Sequence, residues 1–119
     1  MVDSNADRDR RSHPRMIMDL PLEYRIFDNT FARGALTVNA SKTGLLIQSV
    51  TDLPIGTKLS LGVLFHKEFE LKELKVSAEI VRKERFWKED WKGFQYGLRF
   101  TEVEEEDLMK LQELLSGGL

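Results

Sequence analysis

Alternation of apolar and polar residues is the feature that most constrains the fold of this chain. Between residues 16 and 100 the sequence contains six short runs of period two, each typical of a half-buried β-strand. No long helical pattern separates these runs, so the chain lacks the crossovers that parallel strands require. The pattern predicts an all-β domain, an antiparallel barrel or sandwich, and closure into a barrel would also remove exposed sheet edges.

Each run also indicates which side chains face the core, because alternate residues of a strand point to opposite faces. The apolar residues expected to face inward are Leu22, Tyr24, Ile26, Leu36, Val38, Leu45, Ile47, Leu59, Leu61, Val63, Phe65, Val76, Ala78, Ile80, Phe94, Tyr96, Leu98 and Phe100.

The C-terminal region changes period and predicts a helix over residues 102–116. Thr101 and Glu104 have the spacing of a capping box, and the acidic residues after Glu102 favour the positive end of a helix dipole. The apolar stripe expected to dock on the barrel is formed by Leu108, Leu111, Leu114 and Leu115.

The first 15 residues are polar and basic, and we interpret them as a flexible arm. The predicted organisation is therefore a single domain of 119 residues: arm 1–15, β-barrel 16–101 and C-terminal helix 102–116. The arm has no apolar stretch that would make it a signal peptide, and no run reaches the length of a membrane span. We therefore expect a cytoplasmic protein without a membrane span.

Residue types exclude several kinds of chemistry. The chain has no cysteine and only two histidines, His13 and His66, which lie far apart and lack a metal-ligand motif. No spacing suggests a Ser-His-acid set, and helix capping explains the carboxylates after Glu102. We expect neither an enzyme nor a bound metal or cofactor.

Two segments could bind an anionic ligand. Arg10, Arg11 and Arg15 lie in the arm, and guanidinium groups bind both phosphate oxygens and the O6/N7 edge of guanine. Pro14 favours an extended backbone before it, which suits wrapping around a ligand. Taken alone, however, the arm is better explained as a solvated basic tail.

The second segment joins two predicted strands. Strict period two places Asn39 and Ser41 on one face, opposite Leu36 and Val38, where an amide and a hydroxyl could bind a base edge and a phosphate. Gly44 would permit a positive φ or close approach of the backbone to a ligand. Taken alone, these residue types suit any hairpin turn.

Together, the two segments resemble the PilZ domain family, whose signature is RxxxR followed by (D/N)xSxxG. Here the signature reads Arg11 and Arg15, then Asn39, Ser41 and Gly44. The segment 96–100, Tyr-Gly-Leu-Arg-Phe, also resembles the final strand of these domains, and the likeness covers residues 10–115. The resemblance implies a six-stranded antiparallel β-barrel followed by a C-terminal helix.

The resemblance also implies a function, that of a bacterial receptor for cyclic di-GMP. By similarity, Arg11 and Arg15 would contact phosphate and guanine, Asn39 and Ser41 would form the second wall, and Gly44 would keep that wall open. Arg10 resembles the position at which an arginine accompanies an intercalated ligand dimer, which implies two ligands per chain. Motility and biofilm control are typical outputs of the family, and an unidentified downstream protein would relay the signal.

Three alternatives follow from other features. A ligand-independent PilZ-like interaction module would use the aromatic region around Trp87 and Trp91, although such aromatics more often form cross-strand packing pairs. A nucleic-acid polymer is disfavoured, because the net charge is −2 and no aromatic residue is interleaved with the arginines of the arm. An enzyme acting on a cyclic dinucleotide is least favoured, because no general base lies near the motif.

Overall fold

The computed structural model of the chain describes residues 16–27 and 31–116. Within these ranges it contains six β-strands followed by one α-helix. The elements are β1 (Met16–Ile26), β2 (Arg33–Ala40), β3 (Gly44–Ser49), β4 (Lys58–Lys67), β5 (Glu70–Lys88), β6 (Trp91–Glu102) and α1 (Glu105–Leu115).

The six strands close into a barrel in the order β1-β2-β3-β6-β5-β4, and every neighbouring pair is antiparallel. Closure comes from the pairing of β1 with β4, in which Leu22 lies opposite Val63. The predicted all-β fold, with six antiparallel strands and a C-terminal helix, is confirmed.

The barrel interior holds most of the side chains that alternation assigned to it. Each fully buried leucine or isoleucine contributes about 1.5–3 kcal/mol through the apolar surface it removes from water. The predicted residues that are buried are Leu22, Tyr24, Leu45, Ile47, Leu59, Leu61, Val63, Phe65, Val76, Ala78, Ile80, Tyr96 and Leu98.

Strand β2 departs from strict alternation, and the prediction for Leu36 is wrong. Thr37 lies opposite Ile47 and Asn39 opposite Leu46, so Val38 is an extra residue that forms a β-bulge. The bulge makes Thr37 and Ala40, three residues apart, the fully buried positions of the strand, whereas Leu36 is exposed. Asn39 is half-buried and Ser41 is buried, so these two residues do not share one exposed face.

The helix begins later than its sequence pattern predicts. Strand β6 continues to Glu102, and the N-cap residue is Glu104, which makes no side-chain capping hydrogen bond. The capping box predicted for Thr101 is therefore wrong, and α1 spans Glu105–Leu115 rather than 102–116. The pairing of Ser77 with Glu102 explains the difference, because it holds the end of β6 in the barrel.

Helix α1 packs on the barrel with three of the four predicted leucines, since Leu115 also packs against the core. Leu111 and Leu114 are buried in the common core, whereas Leu108 is exposed. Asp107 is buried, and its carboxylate accepts a hydrogen bond of 3.0 Å from the backbone N–H of Lys75 on β5. A carboxylate therefore anchors the first turn of the helix to the barrel.

The end of the barrel near the β5–β6 turn is held by Tyr96 and by aromatic pairs. The Tyr96 hydroxyl donates to the Thr51 carbonyl and accepts a hydrogen bond of 2.7 Å from the backbone N–H of Leu53. Burial raises the pKa of Tyr96, so the phenol remains a neutral donor at physiological pH. Phe86 and Trp91 meet edge to face at 5.5 Å, the cross-strand packing expected for this hairpin.

Candidate ligand-binding site

The turn between β2 and β3 brings Asn39, Ser41 and Gly44 together. Asn39 lies near the end of β2, half-buried between Ile17 on β1 and Leu46 on β3. After Ala40, the backbone N–H of Ser41 donates to the Gly44 carbonyl at 2.9 Å and closes the turn. The second half of the motif is therefore a compact turn at one end of the barrel.

The side chain of Ser41 stabilises this turn. It is 2% exposed, and its hydroxyl accepts a hydrogen bond of 3.2 Å from the backbone N–H of Thr43. The same hydroxyl lies 3.3 Å from the Thr43 hydroxyl. Such a bond from a backbone N–H to a serine two residues earlier fixes the shape of a turn. Ser41 thus shapes the turn, and its buried side chain has a single hydroxyl hydrogen to donate.

The close packing of β3 against β6 requires a glycine at position 44. It does not have a positive φ, since Gly56 is the only glycine among the described residues that does. A Cβ on Gly44 would overlap the carbonyl oxygen of Leu98 on β6. The glycine therefore permits close packing of β3 on β6, and the positive φ considered from sequence is wrong.

The register of β1 against β2 places the first residues of β1 beside this turn. Met16 lies opposite Ala40, and Ile17 lies opposite Asn39. Arg15 is covalently bonded to Met16 and is therefore one residue from a position paired with the turn. Arg10, Arg11 and Arg15 lie outside the described residues, so their part in the site stays a prediction.

Two cationic residues outside the predicted site lie in the turn or on the strand next to it. Lys42 is exposed within the turn itself. Arg99 on β6 is the register partner of Gly44, and its guanidinium donates to the Glu79 carboxylate at 2.8 Å. Segment 96–100, which contains Arg99, resembles a strand of the family in its sequence. Only the pairing of β3 with β6 shows that Arg99 lies next to Gly44 of the motif.

The turn combines polar and cationic side chains of different accessibility. Lys42 and Arg99 are exposed and Asn39 is half-buried, whereas the Ser41 side chain is buried. In residues 16–27 and 31–116, no group of three or more His, Asp or Glu side chains could hold a metal ion. Nor does any helix in these ranges have the length and apolar character needed to cross a membrane.

Comparison with known families decides which family this architecture belongs to. The family model described as PilZ domain matches residues 9–117, which include the three arginines and the β2–β3 turn. The chain belongs to the PilZ domain family. The predicted family is thereby confirmed over nearly the whole sequence.

Solved PilZ structures share the fold at low sequence identity. The PilZ domain of Escherichia coli YcgR, solved with cyclic di-GMP, matches with a TM-score of 0.72 and 14% identity, covering 91% of this chain and 90% of that one. The Borreliella burgdorferi PlzA protein in complex with cyclic di-GMP matches with a TM-score of 0.63 and 14% identity, covering 95% and 55%. At such identities the likeness establishes the fold.

The Bacillus subtilis inhibitor of motility MotI matches with a TM-score of 0.70 and 18% identity. The match covers 88% of this chain but 48% of that protein, so the chain spans about half the length of this relative. No curated protein sequence matches the chain.

Proposed function

We propose that this PilZ domain is a receptor that binds cyclic di-GMP between the arm and the β2–β3 turn. The observation that carries the proposal is the pairing of Met16 with Ala40. Met16 directly follows Arg15, so this pairing supports a site in which the arm and the β2–β3 turn contact the same ligand. The solved relatives YcgR and PlzA, which share the fold, are complexes with cyclic di-GMP.

The chemistry of the ligand suits the residues proposed to hold it. Cyclic di-GMP carries two phosphates and two guanines, and arginine forms forked hydrogen bonds to both groups. Arg11 and Arg15 would supply these bonds from the arm, while Asn39 and the Ser41-shaped turn would form the opposite wall. Asn39 stands where many family members have Asp, and an uncharged amide gives a weaker contact to guanine N–H donors.

We further propose that the chain relays the ligand signal to another protein and catalyses no reaction. Ordering the arm around the ligand costs conformational entropy, which several charge-assisted hydrogen bonds must offset. The ordered arm would present a changed surface to a downstream protein. The chain would act as a receptor rather than as an enzyme.

Isothermal titration calorimetry with cyclic di-GMP tests the proposal. We expect binding in the low-micromolar range or tighter, weakened about 30-fold or more in Arg15→Ala by loss of a charged hydrogen-bonding group. Arg8→Ala is the matched control, because it removes the same charge from the same segment outside the motif. A folded wild-type protein that gives no heat at millimolar ligand would overturn the proposal.

Stoichiometry is a separate part of the proposal. Arg10 precedes the motif directly and predicts two ligand molecules per chain, with a reduction to one in Arg10→Ala. A wild-type titration that fits one ligand per chain would contradict this part and leave the receptor proposal intact.

The exposure of Trp87 favours a second candidate function, a ligand-independent interaction module. Its side chain is 64% exposed, on the same hairpin as the Phe86–Trp91 pair. A partner that binds the double variant Arg11→Ala, Arg15→Ala as tightly as wild type, but fails to bind Trp87→Ala, would favour this candidate.

A further inference from the structure

We infer that Arg99 on β6 binds a phosphate of the ligand and that Glu79 on β5 competes with the ligand for its guanidinium. The inference rests on the proposed function and adds two residues outside the family signature to the site. Two observations support it: the register of β6 on β3, and the exposed Arg99–Glu79 ion pair.

The register places Arg99 beside the motif turn. Arg99 lies directly opposite Gly44, and the next residue, Phe100, donates its backbone N–H to the Thr43 carbonyl at 2.8 Å. Because its neighbour Leu98 is buried in the core, the exposed Arg99 side chain lies on the outer side of the barrel wall. Its partner Gly44 is buried against the β6 backbone. The strand pairing therefore fixes the Arg99 backbone against the surface that Asn39 and Ser41 help to form.

The Arg99 guanidinium is accessible, and its hydrogen-bonding capacity is only partly used. The Arg99 side chain is 61% exposed. A guanidinium has five N–H donors, and the bond to Glu79 uses only one of its two terminal nitrogens.

Arg99 can exchange Glu79 for a ligand phosphate because the ion pair is the weaker of the two interactions. An exposed ion pair such as Arg99–Glu79 contributes about 0–1 kcal/mol, which is easily lost. A forked arginine–phosphate contact is roughly twice as strong as a neutral hydrogen bond, and it is stronger still in a partly enclosed site. Glu79 is the less exposed partner, at 27%, and its carboxylate would repel the same phosphate that Arg99 attracts.

Variants of the two ion-pair partners separate this role from a structural one. Arg99→Ala and Glu79→Gln both break the same ion pair. If the pair only stabilised the structure, both variants would change the Kd for the ligand in the same direction. Competition predicts opposite changes in the Kd for cyclic di-GMP: about 10-fold weaker in Arg99→Ala and about 3-fold tighter in Glu79→Gln. Both values are measured by isothermal titration calorimetry on the full chain.

Matched charge changes on the distant hairpin provide the controls. Arg85 and Glu84 are exposed on β5 and pair with Phe94 and Gln95, several residues along β6 from Arg99. Arg85→Ala and Glu84→Gln should each change the Kd less than 2-fold, because long-range charge effects are screened by salt.

Two outcomes overturn the inference in distinguishable ways. Absence of binding by the wild type overturns the proposed function and this inference with it. Wild-type binding that Arg99→Ala leaves within 2-fold, or that Arg99→Ala and Glu79→Gln both weaken, overturns the inference alone.

Discussion

Thr37 is a polar residue that lies in the apolar interior of the barrel. Its side chain is fully buried in the barrel, and its hydroxyl is the one buried side-chain polar atom in residues 16–27 and 31–116 that has no hydrogen-bond partner. A buried hydroxyl without a partner costs about 1–3 kcal/mol of desolvation. The bulge at Val38 turns this threonine inward and the more apolar Leu36 outward.

The first residue-scale prediction follows from that position. Thr37→Val keeps the branched shape and removes the unsatisfied hydroxyl, so it should raise the free energy of unfolding by about 1 kcal/mol. Chemical denaturation measures the change. Thr57→Val is the control, because the Thr57 hydroxyl donates to the Pro54 carbonyl at 2.6 Å and its loss should bring no gain. A destabilised Thr37→Val would show that the hydroxyl has a partner after all.

Sequence patterns predict which residues form the motif better than they predict which side chains of a strand face the barrel interior. Asn39, Ser41 and Gly44 could be selected because their types and spacing match a family signature. The inward position of Thr37 could not, because a bulge depends on how β2 pairs with β3 and leaves no local trace in the sequence. Arg99 was missed for the same reason, since its place beside Gly44 follows from the pairing of distant strands.

At the scale of elements, the docking of α1 depends on a charged residue. The sequence pattern predicts a helix-capping role for Asp107, together with the neighbouring carboxylates. In the structure it is 5% exposed, accepts the Lys75 backbone N–H and lies 3.7 Å from the Lys110 ammonium group. Its carboxylate therefore joins the helix to β5 as well as suiting the helix dipole.

The element-scale prediction compares adjacent acidic residues of the first helical turn. Asp107→Ala should lower the free energy of unfolding by about 2 kcal/mol, because it leaves a backbone N–H on β5 without its acceptor. Glu106→Ala removes an exposed carboxylate one residue away and should cost less than about 0.5 kcal/mol. Denaturant unfolding of both variants gives the comparison, and equal losses would contradict the anchoring role.

Element type was predictable here, but element boundaries were not. Alternation identified all six strands, because each half-buried strand shows its two faces in the sequence. The start of α1 was placed too early, because Thr101 and Glu104 have capping-box spacing although residue 101 still belongs to β6. Long-range pairing of β5 with β6 overrides the local capping signal.

At the scale of the whole molecule, barrel closure brings distant parts of the sequence to one end. The start of β1, the β2–β3 turn and the final part of β6 meet there, through the pairs Met16–Ala40 and Gly44–Arg99. The β5–β6 hairpin, with its exposed Trp87, lies at the far ends of these strands. The proposed ligand site and the exposed Trp87 side chain therefore lie toward opposite ends of these strands.

An amide NMR titration with cyclic di-GMP tests the proposed site most directly. We predict saturable shifts concentrated in the amides of residues 16–18, 39–44 and 98–100, with those of residues 86–91 changing little. In Arg15→Ala the shifts should be much smaller at the same ligand concentrations, because the Kd is about 30-fold or more higher. Shifts centred on residues 86–91, or no shifts in a folded wild-type protein, would contradict the account.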